Sequence, residues 1–253
     1  DQHAKWAGEN NVDGFIVSWW GKGDFSDEAM KPILRAAERH GRSVTIYYET
    51  VPESKVDRAV DDLLYVLEEY GDQSAWLKVE GKPVIFIYGR AIGQIGLEGW
   101  RKVTEKLRER YGSGFLLIGD CISPDAAAIF QGVHTYNPCV AMRDKTVDQV
   151  RRWARDTYSG WVKVARDGGV ISCITIIPGY DDTKIRKPGI KVERFDGELY
   201  RVQWEEAMEA RPDWVLITSW NEWHEGSEIE PSKEYGDLYL KLTRRFAGEF
   251  KGR

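Results

Sequence analysis

The stretch Val84-Ile85-Phe86-Ile87-Tyr88, approached through Gly81-Lys82-Pro83, decides the fold. Five consecutive apolar or aromatic residues predict a strand covered on both faces, because a strand with one wet face alternates apolar and polar side chains. Six further runs of this kind lie on either side of it: Phe15 to Trp20, Val44 to Tyr48, Phe115 to Ile118, Val133 to Tyr136, Ile171 to Ile177 and Val215 to Trp220. Amphipathic segments between them predict helices near 27-40, 53-70, 97-110, 124-130, 146-166, 199-210 and 233-249. Ser123-Pro124 supplies an N-cap followed by proline at the first helical position, and His40-Gly41, Tyr70-Gly71 and Tyr111-Gly112 supply glycine stops. Strand and helix in alternation predict βαβ units, a parallel sheet and an α/β fold.

A (β/α)8 barrel of the TIM type commonly has about this length and needs eight strands. Seven are readable, and residues 1-11 read as the end of a helix leading into the first of them. The expectation is a single (β/α) barrel domain over 1-253, incomplete at its N-terminal side, with the first strand missing upstream of residue 1. A doubly wound sheet is the alternative, but the first strand-helix turn carries only Gly21-Lys22-Gly23 and lacks the full Gly-x-Gly-x-x-Gly fingerprint.

Composition narrows the partners. The net charge of -5 comes from interspersed acids and bases without a basic tract, which argues against nucleic acid. No apolar run approaches the roughly 20 residues of a membrane span, and Asp1-Gln2-His3-Ala4 does not resemble a signal peptide. No membrane partner is expected, and nothing in the sequence specifies a compartment. Cys121, Cys139 and Cys173 lack metal or disulfide spacing and are expected to be buried thiols. No phosphate-binding loop, nucleophile elbow or His-Glu-x-x-His motif is present, so no cofactor and no metal are expected.

Sites in barrels of this kind are built at the C-terminal ends of the strands. Those ends carry Trp19 and Trp20, Tyr48 and Glu49, Tyr88, Asp120, then His134, Tyr136 and Asn137, then Tyr180 with Asp181 and Asp182, and finally Asn221 to Glu225. Aromatic and acidic side chains suit a neutral ligand rich in hydroxyl groups. Acetal hydrolysis commonly uses paired carboxylates, and Glu222 and Glu225 form such a pair beside Trp220 and Trp223. On a regular strand an offset of three sends them to opposite faces, so the chain is predicted to leave the strand near Asn221 and turn helically. His224 between them fits a hydrogen-bonded structural histidine.

Thr218-Ser219-Trp220-Asn221-Glu222-Trp223-His224-Glu225-Gly226-Ser227-Glu228-Ile229-Glu230-Pro231 and Pro178-Gly179-Tyr180-Asp181-Asp182-Thr183-Lys184-Ile185-Arg186 resemble segments of glycoside hydrolase family 99, the endo-acting α-mannosidases and α-mannanases. Weaker likenesses are Gly14 to Trp20, Gly81-Lys82-Pro83 and Gly132 to Tyr136. The resemblance implies a (β/α)8 barrel and internal cleavage of an α-mannoside, most naturally an α-1,2 linkage, with retention. It implies that Glu222 takes the proton of the sugar 2-hydroxyl, whose oxygen attacks the anomeric carbon, and that Glu225 protonates the leaving oxygen and then activates water. Tyr180 and Glu49 match positions lining the sugar site. The segment after Trp20 looks shorter than the family's loop.

The expected protein is therefore a monomeric catalytic domain acting on carbohydrate. Its catalytic residues are Glu222 and Glu225, and its substrate-binding residues are Trp20, Glu49, His134, Tyr136, Asn137, Tyr180, Asn221 and Trp223. Two alternatives stay open: a conventional retaining glycosidase with Glu222 as acid/base and Glu49 as nucleophile, and a noncatalytic carbohydrate-binding or polysaccharide-assembly domain.

Overall fold

Every apolar run singled out in the sequence overlaps a strand in the computed structural model, which describes residues 1–253. The chain divides into two compact units, Asp1–Val133 and His134–Arg253.

The first unit contains, in order, α1 (Gln2–Glu9), β1 (Gly14–Trp19), α2 (Phe25–Arg39), β2 (Ser43–Tyr48), α3 (Val56–Tyr70), β3 (Lys78–Val79), β4 (Lys82–Ile87), α4 (Gly89–Tyr111), β5 (Leu116–Gly119), α5 (Pro124–Ala127) and β6 (Gly132–Val133). The parallel order is β1-β2-β4-β5-β6, and β3 adds an antiparallel pair to β4. Beyond their first residues β2 and β4 are wholly buried, as expected for strands covered on both faces. The hydroxyls in these two buried runs are satisfied: Thr45 Oγ1 donates to the carbonyl of Val84, and the phenols of Tyr47 and Tyr48 donate to Asp120 and Asp62. β1 departs from that expectation. Ile16 and Ser18, two apart and so on one face, are exposed, and β1 pairs with β2 alone.

Helix α4 is broken at Gly96, whose φ of 66° and ψ of 171° are not helical. Its second part begins at residue 97, where the amphipathic pattern starts. The first part carries Gly89 and Gly93, which weaken helix propensity and hid it from the sequence pattern.

The second unit contains α6 (Cys139–Met142), α7 (Val147–Gly168), β7 (Ile171–Ile176), β8 (Tyr180–Asp181), β9 (Lys191–Val192), α8 (Glu198–Ala210), β10 (Trp214–Ile217) and α9 (Leu238–Lys251). β7 and β10 are parallel, and β8 and β9 form an antiparallel pair that sets Tyr180 opposite Val192. Two-residue strands are too short to show a period, so this hairpin was not expected. Helix α7 starts with a full capping box from Thr146 and Gln149 and stops at left-handed Gly169. It lies along α8, where the buried carboxylate of Glu206 accepts from Arg151 and Arg155.

Two strands end earlier than predicted. β6 stops at Val133 and β10 at Ile217, so residues 134–137 and 218–222 lie outside the sheet. The carbonyls of Thr135 and Tyr136 accept from the hydroxyls of Thr175 and Thr218, so side chains meet the hydrogen-bonding needs of this backbone. β10 is only half-buried along its length, a second departure from the fully covered pattern. Cys139 and Cys173 are buried as expected, whereas Cys121 is partly exposed, because it lies in the turn between β5 and α5.

Candidate active site

After β10 the chain does leave the strand and turn. The Thr218–Ser219 peptide is cis. Ser219 is clasped across the loop to Ser227 by its N–H to the Ser227 carbonyl at 2.8 Å and by hydroxyl to hydroxyl at 2.9 Å. Inside that clasp Ser219 Oγ accepts from the N–H of Glu222, and the N–H of Glu225 donates to the carbonyl of Glu222 at 3.1 Å, closing a 3-10 turn over Trp223–Glu225. Glu222 is the N-cap of that turn, at φ −77° and ψ 70°, and Glu225 is its last residue, near enough that the charge of Glu225 acts on the Glu222 carboxyl. Gly226 ends the turn at φ 57°, where a β-carbon would come within 3.1 Å of the Asp181 nitrogen; only glycine fits there without strain.

Burial of its carboxyl and, next, repulsion from Glu225 push the Glu222 pKa above the ordinary glutamate value, with His224 and Arg186 opposing. The residue as a whole still presents surface to solvent. Glu225 is more enclosed, its side chain 15% exposed. Its Oε1 accepts from Arg186 at 2.9 Å, and its buried Oε2 has no hydrogen-bond partner in the protein.

Arg186 also donates to Asp182 at 2.7 Å and to the phenol oxygen of Tyr180 at 2.8 Å. Asp182 is fixed: it accepts from the Tyr180 hydroxyl and from the Ile190 N–H, and its side chain is almost fully buried. Burial raises its pKa, but the Arg186, Ile190 and Tyr180 hydrogen bonds outweigh burial and hold it below the usual range. Tyr180 is anchored in a core with Cys139, Ile177 and Val192, and burial, then the charge of Glu225, keeps its phenol protonated. Cys139, near the same carboxylates, is pushed up to about 11 by burial and by Asp182 and Glu225.

The other predicted residues of this unit are placed as follows. Trp223 is 48% exposed, with its indole N–H on Glu230, and Asn221 is exposed. Asn137 accepts from the N–H of Cys139, and Tyr136 is partly exposed. His134 is buried, 2% exposed, behind the surface rather than on it.

In the first unit Trp20 and Glu49 are joined by a residue the sequence reading missed. Arg90 lies 4.7 Å over the exposed Trp20 ring and donates to the Glu49 carboxylate at 3.0 Å and carbonyl at 3.1 Å. The loop after β1 is pinned by Asp27, which accepts from Trp19, Gly23, Tyr65 and Tyr70. Arg90 and Arg186 were both missed as site-forming residues. Only Arg186 left a signal, its spacing of four from Asp182 across a turn.

Carboxylates paired on a turn at a strand end, in an α/β chain of this topology, are the arrangement that glycoside hydrolases use. The chain belongs to glycosyl hydrolase family 99, whose pattern matches residues 1–242. The structure of the family 99 endo-α-mannosidase from Bacteroides thetaiotaomicron superposes with a TM-score of 0.84 at 26% identity, covering 99% of this chain and 78% of that one. This bears out the (β/α) barrel fold class. A human glycoprotein endo-α-1,2-mannosidase-like protein is 27% identical over 98% of this chain, and a Xenopus laevis glycoprotein endo-α-1,2-mannosidase is 25% identical over 99%. The chain spans 60% and 62% of the length of these two relatives. An endo-1,4-β-mannanase from Rhizomucor miehei shares the fold alone, with a TM-score of 0.66 at 9% identity.

Proposed function

We propose that residues 1–253 act as one catalytic domain, an endo-acting α-mannosidase that cleaves α-1,2 linkages with retention and with the sugar 2-hydroxyl as internal nucleophile. The observation that carries this reading is the turn that has Glu222 at its N-cap and Glu225 at its end, with the pKa of Glu222 raised by burial and by its neighbour. A carboxylate with a raised pKa is a stronger base, which the weakly acidic 2-hydroxyl requires.

In the proposed first step Glu222 takes the 2-hydroxyl proton as O2 bonds to the anomeric carbon. The bond from that carbon to the glycosidic oxygen breaks, and Glu225 delivers a proton to the departing oxygen. In the second step water attacks the anomeric carbon, Glu225 accepts its proton, and Glu222 returns a proton to O2. Two displacements at one carbon give net retention. Tyr180, Tyr136, Asn137, Asn221 and Trp223 in the second unit, and Trp20 and Glu49 in the first, are the proposed carbohydrate contacts, with His134 supporting from behind.

Incubation with defined α-1,2-linked manno-oligosaccharides, following product length and anomer by NMR, tests the reading. Internal cleavage with the α-anomer released first is expected. Binding without cleavage, surviving Glu225→Gln, would favour a carbohydrate-binding module, and a sugar ester trapped on Glu49 would favour the conventional mechanism.

A further inference from the structure

The two oxygens of Glu225 are not equivalent. Oε1 is held by the Arg186 guanidinium, while Oε2 is buried and has no hydrogen-bond partner in the protein. Arginine does not give up its proton under ordinary conditions, so Oε1 is an acceptor wherever that contact holds, and a transferable proton on this carboxyl must ride on Oε2. We propose that Arg186 is the positioning residue of Glu225, gripping Oε1 so that Oε2 faces the departing glycosidic oxygen. This inference rests on the reading above in which Glu225 is the acid.

Three further observations support it. Arg186 is a tethered arm, since Asp182 is buried and hydrogen-bonded to Tyr180, to the Ile190 N–H and to Arg186 itself, four residues away across a turn closed by the Ile185 and Arg186 N–H groups. The Arg186 side chain is 51% exposed, so the grip on Glu225 is formed at the surface rather than in the core. It also keeps Asp182 and the Tyr180 oxygen when Glu225 is neutral, so protonating Glu225 leaves no orphaned cation.

The charged and titratable groups around Glu225 are Glu222 and His224 on its own turn, Tyr180, Asp182 and Arg186 from β8 and the turn after it, and Cys139 from α6. When the Oε2–H bond breaks and the proton passes to the leaving oxygen, the new negative charge appears opposite Arg186. The ion pair therefore strengthens as the reaction advances, which lowers the barrier.

The test compares substrates whose leaving groups differ in their need for a proton. Glycosyl fluorides depart with little acid assistance, whereas a sugar alkoxide does not. Arg186→Gln is expected to lower kcat on an α-manno-oligosaccharide by roughly 10²-fold, the low end of what a general acid supplies. The matched α-manno-oligosaccharyl fluoride should lose about threefold or less, with KM on both nearly unchanged, because only the acid step is affected. Arg186→Lys, which restores a point charge but not the forked grip, should recover about tenfold. Equal losses on both substrates, or a change in KM alone, would overturn the proposal. If the parent protein cleaves neither substrate, the hydrolase reading fails instead, and a crystal structure of Arg186→Gln decides the positioning role: Glu225 swung away supports it, and Glu225 unmoved overturns it.

Discussion

Arg194 lies 3.0 Å from the carboxylate of Glu228, and both side chains are buried. The same guanidinium donates to the carbonyls of Gly226 and Glu228 and rests between the rings of Tyr235 and Tyr239, at 4.3 and 4.6 Å. It thus ties down the backbone immediately after Glu225. Arg194→Met strands the Glu228 carboxylate and should cost about 3–5 kcal/mol, read as a fall in the denaturant midpoint. Arg194→Met/Glu228→Leu should recover part of that loss, since no charge is then left buried. A single variant as stable as the parent would refute this.

Glu222 should trade stability for chemistry. Its pKa is raised in the folded chain, so its contribution to stability is fully present below the unfolded value and lost as pH rises through the folded one. Glu222→Gln should therefore melt higher than the parent at pH 7, and the advantage should vanish below about pH 4, where the glutamate is protonated in both states. Differential scanning calorimetry at the two pH values checks the sign. In the same way Glu225→Gln, by removing the repelling neighbour, should lower the pKa of Glu222 measured by carboxyl NMR.

Asp27 collects four donors, and burial opposes its ionised form less than those bonds favour it. Asp27→Ala should leave the indole N–H of Trp19 and the N–H of Gly23 without their acceptor, at a cost on the order of 3 kcal/mol. The loop Trp20 to Asp24 should then lose its protection in amide hydrogen exchange. Unchanged protection there would show that the loop is held by something else.

The three thiols should separate under a thiol reagent. Cys121 is partly exposed, while Cys139 and Cys173 are buried with raised pKa values. Native protein should label once, at Cys121, and denatured protein three times, counted by mass spectrometry.

The strands were legible because burial on both faces writes an unbroken apolar run, and the carboxylate pair because it follows such a run directly. The arginines that organise the site were not. An arginine on a chain that is 30% charged looks like any solvated residue. Arg186 finds Glu225 across 39 positions, Arg90 finds Glu49 across 41, and Arg194 finds Gly226 across 32. Such partners are chosen by tertiary structure, which local spacing does not encode. The premature ends of β6 and β10 were hidden for a related reason, since the groups that take over from the ladder are hydroxyls of Thr175 and Thr218.

The clasp between Ser219 and Ser227 gives the segment that bears the two carboxylates a closed perimeter. Its ends are fastened to each other as well as to the strand behind them, so the residues within form a small ring hung on the sheet. Closing so short a ring costs little chain entropy. Gly226 and the Arg194 hydrogen bond to its carbonyl lie inside that perimeter, so the ring is held at its rim and at its C-terminal edge alike, and a change of loop length between 220 and 226 would have to break both fastenings at once.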